Sequence, residues 1–299
     1  MRRISLAAPA KLNLHLGIYS ELDERNYHRA DSLMVALDLC DQVVVEELTV
    51  PADAESAHAL PELVCEPPVG IPAHKNTAYR ATWALAKRTG RIPNVRIELR
   101  KHVPDQAGMG GSSSDAAAVL RALCELWDVP ANDELVLEAA RSVGADVPFF
   151  LDPVPTLLVG AGDVVDQKFP PLAEPLPVVL VRPDGPGVST PAAYAAFDQC
   201  PTEPTDPLAL CAVLRDGCAT AEDIAQNLAN NLDPVACKML PRVAEVRAWL
   251  LEQPGVLGGQ VTGSGSCIFA LCSTEADAAR IASDARKMFE VWAQSAHIQ

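Results

Sequence analysis

The chain has 299 residues, 49% of them hydrophobic and 21% charged, and a net charge of −15. That size and balance suit one large or two medium globular domains, and no stretch approaches the roughly 18 apolar residues of a membrane span. The acidity argues against nucleic acid or an anionic membrane as partner, but not against a small phosphorylated ligand, which amides, a helix terminus and one or two lysines can hold. Nine scattered cysteines without a C-x-x-C pair point to reduced thiols in a cytoplasm and away from a zinc site.

Arg2 and Arg3 precede a short apolar run broken by Lys11 and Asn13, which reads as a first strand and not a leader. Over residues 4–18 the chain alternates, with Leu12, Leu14, Leu16 and Ile18 on one face and Lys11, Asn13, His15 and Gly17 on the other. A second strand is predicted over 42–48, and the Pro/Glu/Ala-rich stretch 51–72 reads as an excursion. A helix follows over 76–89, closed by Gly90, then a half-buried strand with Val95, Ile97 and Leu99 on one face. Helices are predicted over 112–127, opened by capping serines, and over 133–143, stopped at a left-handed Gly144.

Four prolines within 169–177 mark the crossing into a second half, with domains expected at 1–168 and 169–299. Beyond it lie a strand over 178–181, helices over 206–215, 222–230, 233–252 and 275–293, and a strand over 266–272. Strands followed by helices, twice over, indicate an α+β fold.

Between the strand at Val95 and the helix at 112 runs Pro104-Asp105-Gln106-Ala107-Gly108-Met109-Gly110-Gly111-Ser112-Ser113-Ser114. Glycines let a backbone approach a ligand with φ > 0, and the first amides of the following helix face an anion together with the positive end of its dipole. The serine hydroxyls can donate to phosphate oxygens or reach a phosphate-bound magnesium ion. No lysine follows the glycines, as a Walker A loop requires, and Ser113 stands where the dinucleotide fingerprint wants its third glycine. Farther on, Asp146 lies among Ala145, Val147, Phe149 and Phe150, where a carboxylate must be paired or functional. His58, His74, His102 and His297 read as ordinary surface or structural histidines.

Three segments in this order, Ala8-Pro9-Ala10-Lys11-Leu12-Asn13, the glycine-serine loop and Val261-Thr262-Gly263-Ser264-Gly265, resemble the galactokinase, homoserine kinase, mevalonate kinase and phosphomevalonate kinase (GHMP) superfamily. Tyr27-His28, Gly144-Ala145-Asp146-Val147-Pro148-Phe149-Phe150, Val188-Ser189-Thr190-Pro191 and Asn230-Asn231-Leu232 add to the likeness, which covers nearly the whole chain. The resemblance implies a ribosomal protein S5 domain 2-like N-terminal domain, a ferredoxin-like C-terminal domain and an active site in the cleft between them. It implies ATP bound by residues 104–114, magnesium brought with ATP and no resident metal.

By the same resemblance Asp146 is the catalytic base and Lys11 its charge-stabilising partner, while Asn13, Tyr27, His28, Thr190 and Tyr194 bind a small alcohol carrying a cytidine diphosphate group. Asn26 replaces the family's usual glycine before Tyr-His, and asparagine tolerates a left-handed turn. Gly263-Ser264-Gly265 is expected to back the glycine-serine loop. The resemblance further implies a cytoplasmic enzyme working as a monomer or weak homodimer. A homoserine- or mevalonate-type kinase, a decarboxylase relative and an inactive nucleotide-binding relative are the alternatives. The last would have lost Lys11 or Asp146, and both are present.

Overall fold

The computed structural model describes residues 2–48, 60–185 and 187–299, so His58 and most of the first half of the 51–72 excursion lie outside the described residues. The chain divides into two compact units: Met1–Ala10, Leu39–Asp105 and Gly110–Asp152 form one, and Lys11–Asp38, Gln106–Met109 and Pro153–Gln299 the other. Unlike the division at 168/169 read from the sequence, these units are discontinuous. The reason is that β1 (Arg3–Leu22) and β2 (His28–Glu47) are each 20 residues long and contribute one part to each unit.

In the first unit β3 (Glu62–Glu66) runs parallel to β4 (Val95–Arg100), and β4 is antiparallel to β2 with Val45 opposite Ile97. The described end of the 51–72 excursion is therefore partly a strand. Helices α1 (Thr77–Thr89), α2 (Gly111–Trp127), α3 (Glu134–Val143) and α4 (Val147–Leu151) complete it, with α1 packed on α2 and α3. The caps follow the sequence: Asn76 Oδ1 accepts the Ala78 amide at 2.9 Å, Asp133 Oδ1 accepts that of Leu135 at 2.9 Å, and Gly90 is left-handed at φ 68°. Gly144 departs from expectation. Its φ of −178° is extended backbone, so no left-handed stop ends α3.

The second unit adds β5 (Thr156–Val159), β6 (Val164–Lys168), β7 (Leu176–Arg182), β8 (Ala229–Asn230), β9 (Val256–Val261), β10 (Ile268–Cys272) and β11 (Trp292–Ile298). Its helices are α5 (Thr190–Gln199), α6 (Leu208–Leu214), α7 (Ala221–Ala225), α8 (Asp233–Met239), α9 (Pro241–Leu251) and α10 (Glu275–Phe289). The strand order β2-β11-β7-β10-β9 is antiparallel throughout. Val179, Val181, Ile268 and Ala270 from its middle pack with Val243, Val246 and Leu250 of α9 and Ile281 and Ala285 of α10.

Three predicted helices are broken or end well short here, and 206–215 shrinks slightly to α6. Pro241 splits 233–252 into α8 and α9, because it lacks an amide and holds Leu240 extended at φ −126°. The helix over 222–230 stops at Ala225, and Ala229 and Asn230 pair in parallel with His15 and Leu16. The helix over 275–293 stops at Glu290, left-handed at φ 55°, and the chain turns into β11 between β2 and β7. No helix among the described residues is long and apolar enough to cross a membrane.

Candidate active site

The glycine-serine loop takes left-handed backbone at Gln106 (φ 53°), Gly108 (φ 76°) and Gly110 (φ 71°). Gly110 caps α2 without any side-chain hydrogen bond, so the serines do not cap the helix as expected. The Gly110 carbonyl accepts the amides of Ser113 and Ser114 at 3.0 and 2.9 Å, while those of Gly111 and Ser112 have no acceptor among the described residues. Two uncapped amides at the positive end of a helix of 17 residues have the geometry that suits an anion. Ser112 is exposed and Ser113 half-buried, whereas Ser114 is buried with its hydroxyl unpartnered among the described residues. Ala107 and Met109 bury their side chains, leaving only backbone to meet a ligand at those two positions, and Pro104 leads into the turn at Asp105 and Gln106.

In the second unit the third motif backs this loop. A Cβ on Gly108 would meet the Thr262 carbonyl at 2.2 Å, and the Cys267 amide donates to the Ala107 carbonyl at 3.2 Å. Asn230 supports the turn by donating from Nδ2 to the carbonyls of Val261 and Gly263 at 2.8 and 3.0 Å. The sequence offers a steric reason for Gly108 only once Thr262 is seen to lie against it.

The polar face of β1 is as buried as its apolar face: Lys11 and Asn13 are each 3% exposed. The Lys11 amide donates to the Met109 carbonyl at 2.9 Å, and its Nζ donates to Asn13 Oδ1. Asn13 is held in turn, its Nδ2 donating to Ser32 Oγ at 2.8 Å and its Oδ1 accepting from Thr262 Oγ1 at 3.2 Å. Gln260 Nε2 donates to the Asn13 carbonyl at 3.1 Å. Ser32, Gln260 and Thr262 therefore orient the lysine through Asn13, and nothing local in the sequence marks them. Next along this face, His15 is buried with Nε2 unpartnered among the described residues, and burial lowers its pKa from 6.5.

In the first unit Asp146 precedes α4 and is half-buried. Its carboxylate caps no amide and has no hydrogen bond or ion pair among the described residues, unlike a structural aspartate bonded to nearby amides.

Tyr27 is 59% exposed, held by a turn in which Asp23 Oδ1 accepts its amide at 2.9 Å and Asn26 adopts φ 62°. Arg25 lies over its ring at 5.4 Å. The His28 ring is buried 5.2 Å from that of Tyr194, which α5 supplies. Both His28 nitrogens are engaged: Nδ1 donates to the Tyr19 carbonyl at 2.8 Å and Nε2 lies 3.2 Å from Asp198 Oδ1. Both ring nitrogens thus have partners within the protein. Thr190 Oγ1 lies 3.3 Å from Ser264 Oγ. His297, read as an ordinary surface or structural histidine, pairs its Nδ1 with Asp38 Oδ2 at 2.7 Å.

Sequence reading missed Lys101, whose ammonium lies buried between Asp41 and Asp115 of the first unit. Burial pushes the Asp115 carboxyl up to about 7 against the opposing pull of Lys101. Burial works against the Lys101 charge, but the two carboxylates outweigh it and its pKa is raised. No group of acidic, histidine or cysteine side chains suited to a metal ion occurs among the described residues.

Residues 76–152 match the family model of the GHMP kinases N terminal domain, and residues 214–291 that of the GHMP kinases C terminal. A 4-diphosphocytidyl-2-C-methyl-D-erythritol kinase of Desulfitobacterium hafniense is 34% identical over 97% of this chain and 94% of its own. One of Cereibacter sphaeroides is 36% identical over 93% of this chain and 92% of its own. A crystal structure of 4-(cytidine 5'-diphospho)-2C-methyl-D-erythritol kinase superposes with a TM-score of 0.77 at 33% identity, covering 99% of this chain and 100% of that one.

Proposed function

The chain belongs to the GHMP kinases and, within them, to the 4-diphosphocytidyl-2-C-methyl-D-erythritol kinases, and from that premise we propose how its residues divide the work. Its substrate is 4-diphosphocytidyl-2-C-methyl-D-erythritol, an intermediate of non-mevalonate isoprenoid biosynthesis, and the acceptor is the 2-hydroxyl. That oxygen attacks the γ-phosphorus of ATP, the bond from the β–γ bridging oxygen breaks, ADP leaves, and Asp146 takes the hydroxyl proton. An uncommitted, half-buried carboxylate suits a base. Lys11, oriented by Asn13, balances the charge that develops on the transferred group.

The observation that carries this reading is the start of α2, where the amides of Gly111 and Ser112 have no acceptor among the described residues in a loop of left-handed glycines. ATP phosphates are the anion that suits them. Magnesium, when bound with the nucleotide, neutralises phosphate charge, and the buried, unpartnered Ser114 hydroxyl suits a ligand oxygen or that ion. At the other end of the substrate, Tyr27 offers an exposed ring and Tyr194, packed on the His28 ring, a second aromatic, with His28 beside them in the base-binding set. Thr190, at the start of α5, completes the substrate set.

ADP release in the presence of the cytidyl substrate, homoserine and mevalonate, run in parallel, tests this function. Turnover of the cytidyl substrate alone, with cytidine diphosphate competing against it and not against ATP, is the expected result. Efficient phosphorylation of homoserine or mevalonate with indifference to cytidine diphosphate would leave the superfamily intact and overturn the substrate.

A further inference from the structure

The reaction as derived leaves unused the most heavily buried charges of the first unit. The side chains of Lys101, Asp41 and Asp115 are 8%, 0% and 4% exposed, and Lys101 Nζ donates to Asp41 Oδ2 and, at 2.6 Å, to Asp115 Oδ2. Ions taken out of water persist only where geometry and further hydrogen bonds compensate, and apolar residues would often serve stability as well. What sets this group apart is where its members attach. Lys101 follows β4, and Asp41 Oδ1 accepts the next two amides, of His102 at 2.5 Å and Val103 at 2.8 Å, which is the backbone entering the loop. Asp115 lies in the first turns of α2, where the backbone leaves it. Entry and exit also touch, since a Cβ on Gly111 would lie 3.1 Å from Val103 Cγ1 and 3.6 Å from Asp41 Oδ2.

We propose that Lys101 and Asp115 are positioning residues for ATP: their ion pair, anchored by Asp41, ties the strand that enters the loop to the helix that leaves it and so sets where α2 aims its uncapped amides. This rests on the reading of α2 as the phosphate site. This role requires no contact of either side chain with the nucleotide. Their effect is on the direction of backbone donors, where a small misplacement costs much of the binding.

Asp115→Ala breaks the tie yet leaves Lys101 paired with Asp41, and Asp41 with its two amides. The expected result is a rise in KM for ATP of about tenfold, the worth of one charged hydrogen bond, with KM for the cytidyl substrate unchanged. Asp115→Asn keeps an acceptor for Lys101 and should recover most of the affinity. Should Asp115→Ala fail to fold, the double variant Lys101→Met/Asp115→Leu replaces the pair with apolar groups of similar size and should show the same selective loss. A folded variant of either kind with wild-type KM for ATP overturns the inference, as does a parallel loss of both affinities that follows melting temperature. Gly110→Val, which bends the loop itself, separates the two levels. If it too keeps ATP affinity, the phosphate-site reading falls and the inference with it, whereas if it alone loses ATP, only the inference falls.

Discussion

The loop that opens α2 and the polar face of β1 work with different parts of the chain. The loop uses backbone: left-handed glycines and two uncapped amides, with the side chains of Ala107, Met109 and Ser114 turned into protein. The β1 face uses side chains, Lys11 and Asn13, each buried and held by named partners. A backbone site tolerates any residue that keeps φ and leaves space. A side-chain site tolerates only the same functional group. Substitutions that separate shape from chemistry therefore break the two regions differently.

The largest effects should come from chemistry. Asp146→Asn should lower kcat by about 10²–10⁴-fold, the usual worth of a general base. Lys11→Ala should lower it by about 10²–10³-fold as a lost electrostatic donor. Both should fall mainly on kcat, and the double variant should cost less than the product if, as proposed, the residues serve one proton transfer. Steady-state kinetics decide it, and an Asp146→Asn enzyme that keeps most of its activity would remove that residue from the mechanism.

On the backbone side, Gly110 stands at φ 71°, where a β-branched residue is strained. Gly110→Val should therefore severely weaken ATP binding with little change in circular dichroism. Gly110→Asn, which tolerates that conformation, should lose far less. Equal losses in the two variants would mean that bulk and not backbone direction matters there.

A middling effect belongs to the base-binding end. Tyr27→Ala should raise KM for the cytidyl substrate by about tenfold, from the 1–3 kcal/mol typical of a stacked base, and leave KM for ATP alone. Because Asp198 holds only the second nitrogen of His28, Asp198→Ala should disturb the same KM less than Tyr27→Ala does.

The smallest expected effect concerns stability and pH. Burial depresses the His15 pKa in the folded state, so the unfolded chain takes up the proton first. Stability carried by the neutral ring is full above 6.5 and is lost as pH falls through and below that value. His15→Phe should flatten this acid-side fall in melting temperature, and an unchanged pH profile would show that His15 does not contribute to it.

Much of the site was legible because its signals are local. A strand, a run of glycines and serines and an Ala/Leu-rich helix lie within one stretch, and alternation alone put Lys11, Asn13 and His15 on one face. Alternation could not show that this face is buried, since residues more than 240 positions away, Gln260 and Thr262, do the covering. Nor could it show that Asp198 and Tyr19 occupy both nitrogens of His28. In the fold, capped helices such as α1 were read to within a residue or two. β11 was missed because Trp292-Ala293-Gln294-Ser295-Ala296-His297-Ile298 continues a helical composition beyond Glu290. β9 was missed because Gly258 and Gly259 look like a turn, yet a Cβ on Gly259 would lie 2.4 Å from the Phe269 carbonyl.

By itself the sequence determined what depends on neighbours two to four residues apart: the strand–loop–helix unit, the caps at Asn76 and Asp133, the break at Pro241 that periodicity overran, and the motifs that place the chain among the GHMP kinases. Only the tertiary structure decided which charges lose their water and whom they meet. Lys101 finds Asp41 60 positions away and Asp115 14 positions away, and β11 finds β7 and β2. Turns and caps are set by steric and hydrogen-bonding preferences that each residue carries with it. Burial and ion pairing exist only after distant segments have closed around one another.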